Sequence, residues 1–190
     1  VVTRGDLPRR AALWASLASV ILALGVGCVL WLGYGTGPWT LPLGLLGLLG
    51  GFFYSTRPVR WVGTGVGELW IAFCYGWLPV AVGVYLQLGR LIPQVHWMAI
   101  PVGLTIFNVI LLNEYPDYEA DRATEKRNIL VRLGRERGAW LFAGAHVVAG
   151  IAMALSLLNG LPLATLWVYV PVWSVALALS VLLLRGAWRD

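Results

Sequence analysis

Apolar residues run along this chain in long unbroken stretches, and nearly all charge sits in the short segments between them. A helix crossing a bilayer needs roughly 20 mostly apolar residues. Six stretches meet or approach that length, at about 11–33, 37–54, 68–88, 95–113, 138–158 and 162–184. The second is the weakest, being short and rich in glycine. The uncharged run from Ala11 to Thr56 is too long for one span, and it breaks at Gly33-Tyr-Gly-Thr-Gly-Pro38, a turn signal. The pattern predicts an all-α, polytopic transmembrane helical bundle of about six spans, forming a single domain over residues 1–190.

Charge orients the bundle. With the N-terminus inside, Arg4, Arg9, Arg10, Arg57, Arg60, Arg122, Lys126, Arg127, Arg132, Arg135, Arg137, Arg185 and Arg189 are all cytoplasmic, and Arg90 alone is outside. Lysine and arginine bias sets membrane topology, so the expectation is a multi-pass protein of the cytoplasmic membrane with its motif loops facing the cytoplasm. All nine acidic residues fall on that same face. A plain transporter tends to place ionisable groups mid-span along its pathway, and these spans hold almost none.

Composition agrees with a bilayer environment. Hydrophobic residues make up 59% of the chain and charged ones only 12%, about half the share usual in a soluble domain. The net charge of +5 is spread over several loops. No aromatic-basic stripe accompanies it, so nucleic acid is not an expected partner. Cys28 and Cys74 lie inside apolar runs and read as small buried hydrophobes. His96, near an interface, and His146, within a span, are isolated, and neither is expected to ligate a metal. Gly47 and Gly51, four apart, allow close helix approach or simply reflect glycine abundance in membrane helices; oligomeric state stays open.

Candidate chemistry is concentrated after the fourth span, in Asn113-Glu-Tyr-Pro-Asp117-Tyr-Glu-Ala-Asp121-Arg122. Asn113, Asp117 and Asp121 are four apart and stack on one helical face. Two carboxylates one turn apart repel unless a cation lies between them. Mg²⁺ prefers oxygen ligands and commonly takes one or two carboxylates together with substrate phosphates. Pro116 predicts that the fourth helix kinks or ends near Tyr115, with a new turn angling the acidic face inward. Spacing alone is equally compatible with a solvated juxtamembrane linker. The preceding cytoplasmic loop holds Tyr54, Arg57, Arg60, Gly63, Gly65, Gly67 and Glu68. Its arginines suit diphosphate oxygens, and its glycines let backbone approach another group closely. A flexible loop with topology-setting arginines accounts for it too, and Glu68 then simply favours the N-terminal end of the third span.

Together the two loops resemble the UbiA superfamily of intramembrane prenyltransferases. Asn113-x3-Asp117-x3-Asp121-Arg122 with Lys126 is similar to the family's second aspartate-rich motif. Tyr54-Ser55-x-x-Pro58-x-Arg60 and Gly65-x-Gly67-Glu68 resemble the preceding loop, and Ile129 to Gly134 resembles the segment after the motif. Gly67-Glu68 and the Asn113–Gly134 segment point within the superfamily to the 1,4-dihydroxy-2-naphthoate polyprenyltransferases of menaquinone synthesis. The resemblance implies a polyprenyl diphosphate whose tail lies in a lipid-facing cavity, Mg²⁺ on the diphosphate, and attack of an aromatic ring on the allylic cation. It implies that Asp117 and Asp121 are the metal and catalytic residues with Asn113 in support. Lys126, Arg57 and Arg60 would neutralise phosphate charge, and Tyr54 would line the site.

The departures also carry expectations. Family members have about nine helices and a first Asn-Asp-x-x-Asp motif after the second. The stretch Val1-Val-Thr-Arg-Gly-Asp-Leu-Pro8 is similar to the sequence shortly after that motif. The six spans are therefore expected to correspond to the family's third through eighth, with half of the metal site upstream of Val1. Glu125 stands where the family usually has glycine before the lysine. Alternatives to the naphthoate reading are a sibling transferase acting on a porphyrin-type ring or a lipid, and a non-catalytic membrane protein or transporter.

Overall fold

The computed structural model describes residues 8–189, except for the side chain of Arg9. Arg4, Asp6 and the family-like stretch before Pro8 lie outside the described residues. The fold is an all-α membrane bundle. It comprises α1 (Arg9–Cys28, continued by a π turn, Val29–Gly33), α2 (Thr40–Ser55), α3 (Gly67–Ala72), α4 (Leu78–Leu88), α5 (Pro93–Ala123), α6 (Ile129–Leu133), α7 (Arg135–Leu158) and α8 (Leu166–Leu184). A π turn, Phe73–Trp77, joins α3 to α4, so Gly67–Leu88 is one continuous rod.

Each predicted apolar stretch is a helix, and five are long and apolar enough to cross a membrane. Helix α2 is the exception at 16 residues, which rise only about 24 Å. The chain breaks where turn chemistry demands it. Gly89, at φ 66°, ends α4 in the left-handed conformation, and Pro93 opens α5 where its missing N–H is harmless.

Helix α5 is the axis of the bundle, packed against α7 along one side and against α3 and the following π turn along another. Phe107, Leu111 and Tyr115 of α5 meet Ala139, Phe142 and Ala145 of α7, Leu130 of α6 and Leu183 of α8 in the main core. Alanines on α7 (Ala139, Ala145, Ala149, Ala152) are buried, and their small side chains bring the two backbones close. A buried polar clasp reinforces the junction. Asn108 Nδ2 donates to the Phe142 carbonyl at 2.9 Å and lies 2.8 Å from His146 Nδ1, which also meets Ser180 Oγ at 3.2 Å. Intramembrane polar groups are placed this way, toward the bundle interior and bonded across helices. Gly47 and Gly50 of α2 receive Leu78 and Trp70 of the adjacent rod, whereas Gly51 has nothing within 4 Å of an added Cβ, so of the Gly47 and Gly51 pair only Gly47 serves packing within the chain. Helix α1 exposes its apolar surface all round, including Trp14, Leu22 and Leu32, as a lipid-facing helix does. Cys28 is exposed there, contrary to the expectation of burial, because α1 packs little of its surface.

Of the two outcomes expected at Pro116, an end to the helix does not occur. Helix α5 continues through Pro101 and Pro116 for 31 residues. Proline in a membrane helix is tolerated where neighbours hold the freed backbone. Here Tyr115, buried, donates its hydroxyl to the Arg135 carbonyl at 2.9 Å and pins this turn of α5 to α7. Twenty residues separate Pro93 from Asn113, about 30 Å of helix, which matches the hydrocarbon thickness. A helix that enters the bilayer at Pro93 thus has length to spare for the turns that carry Asp117 and Asp121.

Candidate functional site

The last turns of α5 place Asn113, Asp117 and Asp121 in one row, because the helix is uninterrupted. The row does not turn inward as expected. Asn113 and Asp117 are exposed and Asp121 is half-buried. Glu114, one residue round the helix, takes the buried position instead at 9% exposure. Asn113 borders a cleft of about 620 Å³ between α5, α8 and the C-terminal turn, lined also by Arg135, Leu182 and Trp188.

Asp121 is the organised member of the row. Its Oδ2 accepts from Lys126 Nζ at 2.7 Å and from Asn128 Nδ2 at 2.8 Å. The backbone N–H of Lys126 also donates to the Asp121 carbonyl at 3.0 Å. This return is made by a tight turn in which Glu125 adopts φ 56°. That is the left-handed region, which favours glycine, the residue that the family resemblance leads one to expect here. The turn is kept here at the expense of backbone strain. Glu125→Gly is therefore expected to stabilise the protein by about 0.5–1 kcal/mol, after the larger unfolded-state entropy of glycine is deducted. Thermal unfolding in detergent checks this as a small rise in Tm.

The second loop folds onto this turn. The Arg127 N–H donates to the Gly63 carbonyl at 3.2 Å, and Arg132 Nε donates to the Arg127 carbonyl at 2.7 Å. Gly65, at φ 77°, leaves room for that arrangement, since a Cβ there would lie 3.1 Å from Arg132 Nε. Gly67 lets the Trp61 carbonyl approach, which would stand 2.7 Å from an added Cβ. The close approach anticipated for these glycines is thus to the chain itself, and Gly63 has no such neighbour. Glu68 does more than favour a helix end. It is 3% exposed, and its Oε1 accepts from the Ile129 N–H at 2.6 Å.

The structure thus assembles Asp121, Lys126, Asn128, Glu68 and Glu114, with Tyr54 facing the two glutamates. It leaves Asn113, Asp117, Arg57 and Arg60 exposed, and neither Arg57 nor Arg60 is ion-paired among the described residues. Sequence reasoning missed Glu114 and Asn128. Asn128 had a legible signal, an Asn immediately before Ile-Leu-Val, and it does cap α6, accepting from the Val131 N–H at 2.8 Å. Glu114 had a weaker one, a carboxylate at helical spacing from Phe107 and Leu111. Two mostly apolar grooves flank the Gly67–Leu88 rod, the first opening at this end of the bundle and the second lying toward the start of α5. One of about 320 Å³ runs from Tyr54 past Gly50 and Trp70 to Leu78, and one of about 250 Å³ lies between Phe73, Trp77 and the Ala99–Phe107 face of α5.

Relatives share this sequence over most of its length. The 1,4-dihydroxy-2-naphthoate octaprenyltransferase of Bacillus subtilis is 24% identical over 174 residues, 92% of this chain and 55% of that protein. The protein of the same name in Mycobacterium tuberculosis is 30% identical, covering 90% of this chain and 56% of the relative. The bacteriochlorophyll synthase 33 kDa chain of Cereibacter sphaeroides is 29% identical over 79% of this chain and 48% of its own length. The chain spans about half the length of the curated relatives it matches. No solved structure matches it significantly. The model of the UbiA prenyltransferase family matches residues 1–190 throughout, and the chain belongs to that family.

Proposed function

We propose that the protein transfers a polyprenyl group from polyprenyl diphosphate to an aromatic acceptor of the 1,4-dihydroxy-2-naphthoate type, as a step in quinone synthesis at the cytoplasmic membrane. The observation that carries this reading is the placement of Asp117 and Asp121. They stand one turn apart where a membrane-spanning helix outruns its apolar length, at the end of the bundle where a mostly apolar groove begins at Tyr54.

The residues divide the work by chemistry. Asp117 is exposed and has no ion pair among the described residues. Asp121 holds Lys126 and Asn128 on one oxygen, which leaves Oδ1 available. Among the described residues no three His, Cys, Asp or Glu side chains come together as a metal cage. Two hard carboxylates fit an ion that arrives with the diphosphate, which is the usual habit of Mg²⁺. Bound there, Mg²⁺ would supply charge that stabilises the departing diphosphate. Lys126 has three donors and spends one on Asp121, so two remain for phosphate oxygens. Arg57 and Arg60, exposed on the facing loop, suit the outer phosphate, and Asn113 supports the row. Tyr54 stands at the head of the groove that takes the first isoprene units, where apolar walls keep water from the allylic cation.

A second reading, in which the acceptor is a porphyrin-type ring, is favoured by the bacteriochlorophyll synthase relative, whose identity is comparable to that of the naphthoate enzymes. Membranes containing the complete gene product that includes these residues separate the two. Given radiolabelled polyprenyl diphosphate and Mg²⁺, label should pass to 1,4-dihydroxy-2-naphthoate and stop passing when a chelator is added. Label on a porphyrin-type ring instead, or on neither acceptor, overturns the proposal.

A further inference from the structure

Two carboxyls that take no part in the row on α5 are buried side by side beneath it. Glu68 opens α3 and is 3% exposed, and Glu114 on α5 is 9% exposed. Their carboxyl groups are within hydrogen-bonding reach of each other. Glu68 also holds a backbone donor at the start of α6, its Oε1 taking the Ile129 N–H at 2.6 Å, and Glu114 lies beside the next residue, Leu130. Asn128 completes the set by taking the Val131 N–H at 2.8 Å with its Oδ1, while its Nδ2 donates to Asp121 at 2.8 Å. Two of the orphan donors at the start of α6 are thus satisfied by side chains, one from α3 and one from the turn before α6.

One oxygen on each glutamate is left over. Glu68 Oε2 and Glu114 Oε2 are both buried, and neither has a donor partner. Two ionised carboxylates facing each other away from water would bear both a desolvation cost and mutual repulsion. A protonated carboxyl is a donor as well as an acceptor, so a single proton held between the pair satisfies both oxygens. The other ionisable groups facing the pair are Tyr54 from α2 and Lys126 from the turn. Lys126 is paired with Asp121 at 2.7 Å, and its charge also reaches Glu114, which suits a pair that keeps one negative charge and one proton.

We propose that Glu68 and Glu114 form an acid–carboxylate latch, sharing one proton, which locks residues 126–130 onto α3 and α5 and so fixes the direction of the Asp121 carboxylate through Asn128. They are positioning residues and need not touch substrate. The catalytic consequence rests on the reading of Asp121 as a diphosphate residue; the latch itself does not.

Glutamine reproduces the proposed state, because its carbonyl accepts from Ile129 and its amide donates to the remaining glutamate. Glu68→Gln is expected to keep prenyl transfer within about threefold of the parent, whereas Glu68→Ala should lower it at least tenfold, chiefly through a raised KM for polyprenyl diphosphate with the acceptor KM little changed. Infrared spectroscopy of the purified protein at neutral pH reads the latch without any turnover. A carboxylic-acid C=O band should be present in the parent and absent in both Glu68→Gln and Glu114→Gln. Absence of the band in the folded parent overturns the latch, as does Glu68→Gln losing transfer to the same extent as Glu68→Ala. If the parent transfers no prenyl group at all, the functional reading fails while the band still decides the latch.

Discussion

Asp117→Asn and Asp121→Asn should each lower prenyl transfer by the complete gene product on the order of 10²–10³-fold, the scale of losing one group that stabilises developing charge, here through weaker hold on the Mg²⁺ that would bear on the departing diphosphate. The two substitutions differ in what else they disturb, and the difference makes them informative as a pair. Asp117 is exposed and unpaired among the described residues, so its amide variant changes charge and nothing in the packing. Its thermal stability should match the parent. Asp121 anchors Lys126 at 2.7 Å and Asn128 at 2.8 Å. Asparagine there still offers Asn128 an acceptor but no longer neutralises the ammonium. Because Lys126 is partly exposed, the lost pairing should reduce stability by less than about 1 kcal/mol. Steady-state kinetics with varied polyprenyl diphosphate and Mg²⁺, alongside Tm in detergent, measures both effects. Retention of the parental rate by both variants would show that the acidic row is a solvated linker, as a transporter or scaffold would have it.

How far such a site can be read before the fold is known depends on the range of the interactions that build it. The apolar helices were legible because a run of some twenty apolar residues leaves the backbone no other solution in a bilayer. The spacing of Asn113, Asp117 and Asp121 was legible for the same local reason. Which way the row faces was not. That depends on α7 docking against Phe107, Leu111 and Tyr115, which turns Glu114 inward and Asp117 outward. Pro116 misled in a related way. The rule that proline ends a helix weighs one lost backbone bond, whereas the Tyr115–Arg135 contact that holds the turn comes from a residue 20 positions away. The partnership of Glu68 with Ile129 spans 61 positions, and a lone glutamate after glycine carries no sign of it. Glu125 shows the reverse case. Comparison with the family marked it as unusual, and its φ of 56° supplies the physical reason.

Gly76→Leu should be the most damaging single change to the bundle, and it tests whether the membrane helices and the site are mechanically one unit. Gly76 lies in the π turn between α3 and α4, where the rod crosses α5 at Gly103. A Cβ on Gly76 would run into the Gly103 Cα and come within 2.8 Å of its backbone nitrogen. Both obstacles are main chain, so no rotamer change relieves them, and the rod has to move away from α5. Overpacking of this kind costs about 1–3 kcal/mol, and leucine at a backbone-to-backbone contact belongs at the upper end. Gly83, on the same rod in α4, has nothing within 4 Å of an added Cβ. Gly83→Ala should therefore be neutral or stabilising by up to about 1 kcal/mol, since alanine is the better helix former. The same rod carries Glu68 at its charged end, 2.6 Å from the Ile129 N–H. A shift large enough to accommodate leucine breaks that bond, so Gly76→Leu should lose prenyl transfer as well as stability, with a raised KM for polyprenyl diphosphate like that expected of Glu68→Ala. Gly76→Ala, which requires a smaller displacement, should fall between the parent and the leucine variant in both Tm and KM. A leucine variant that unfolds early yet binds polyprenyl diphosphate normally while folded would show that the crossing at Gly76 serves the bundle alone.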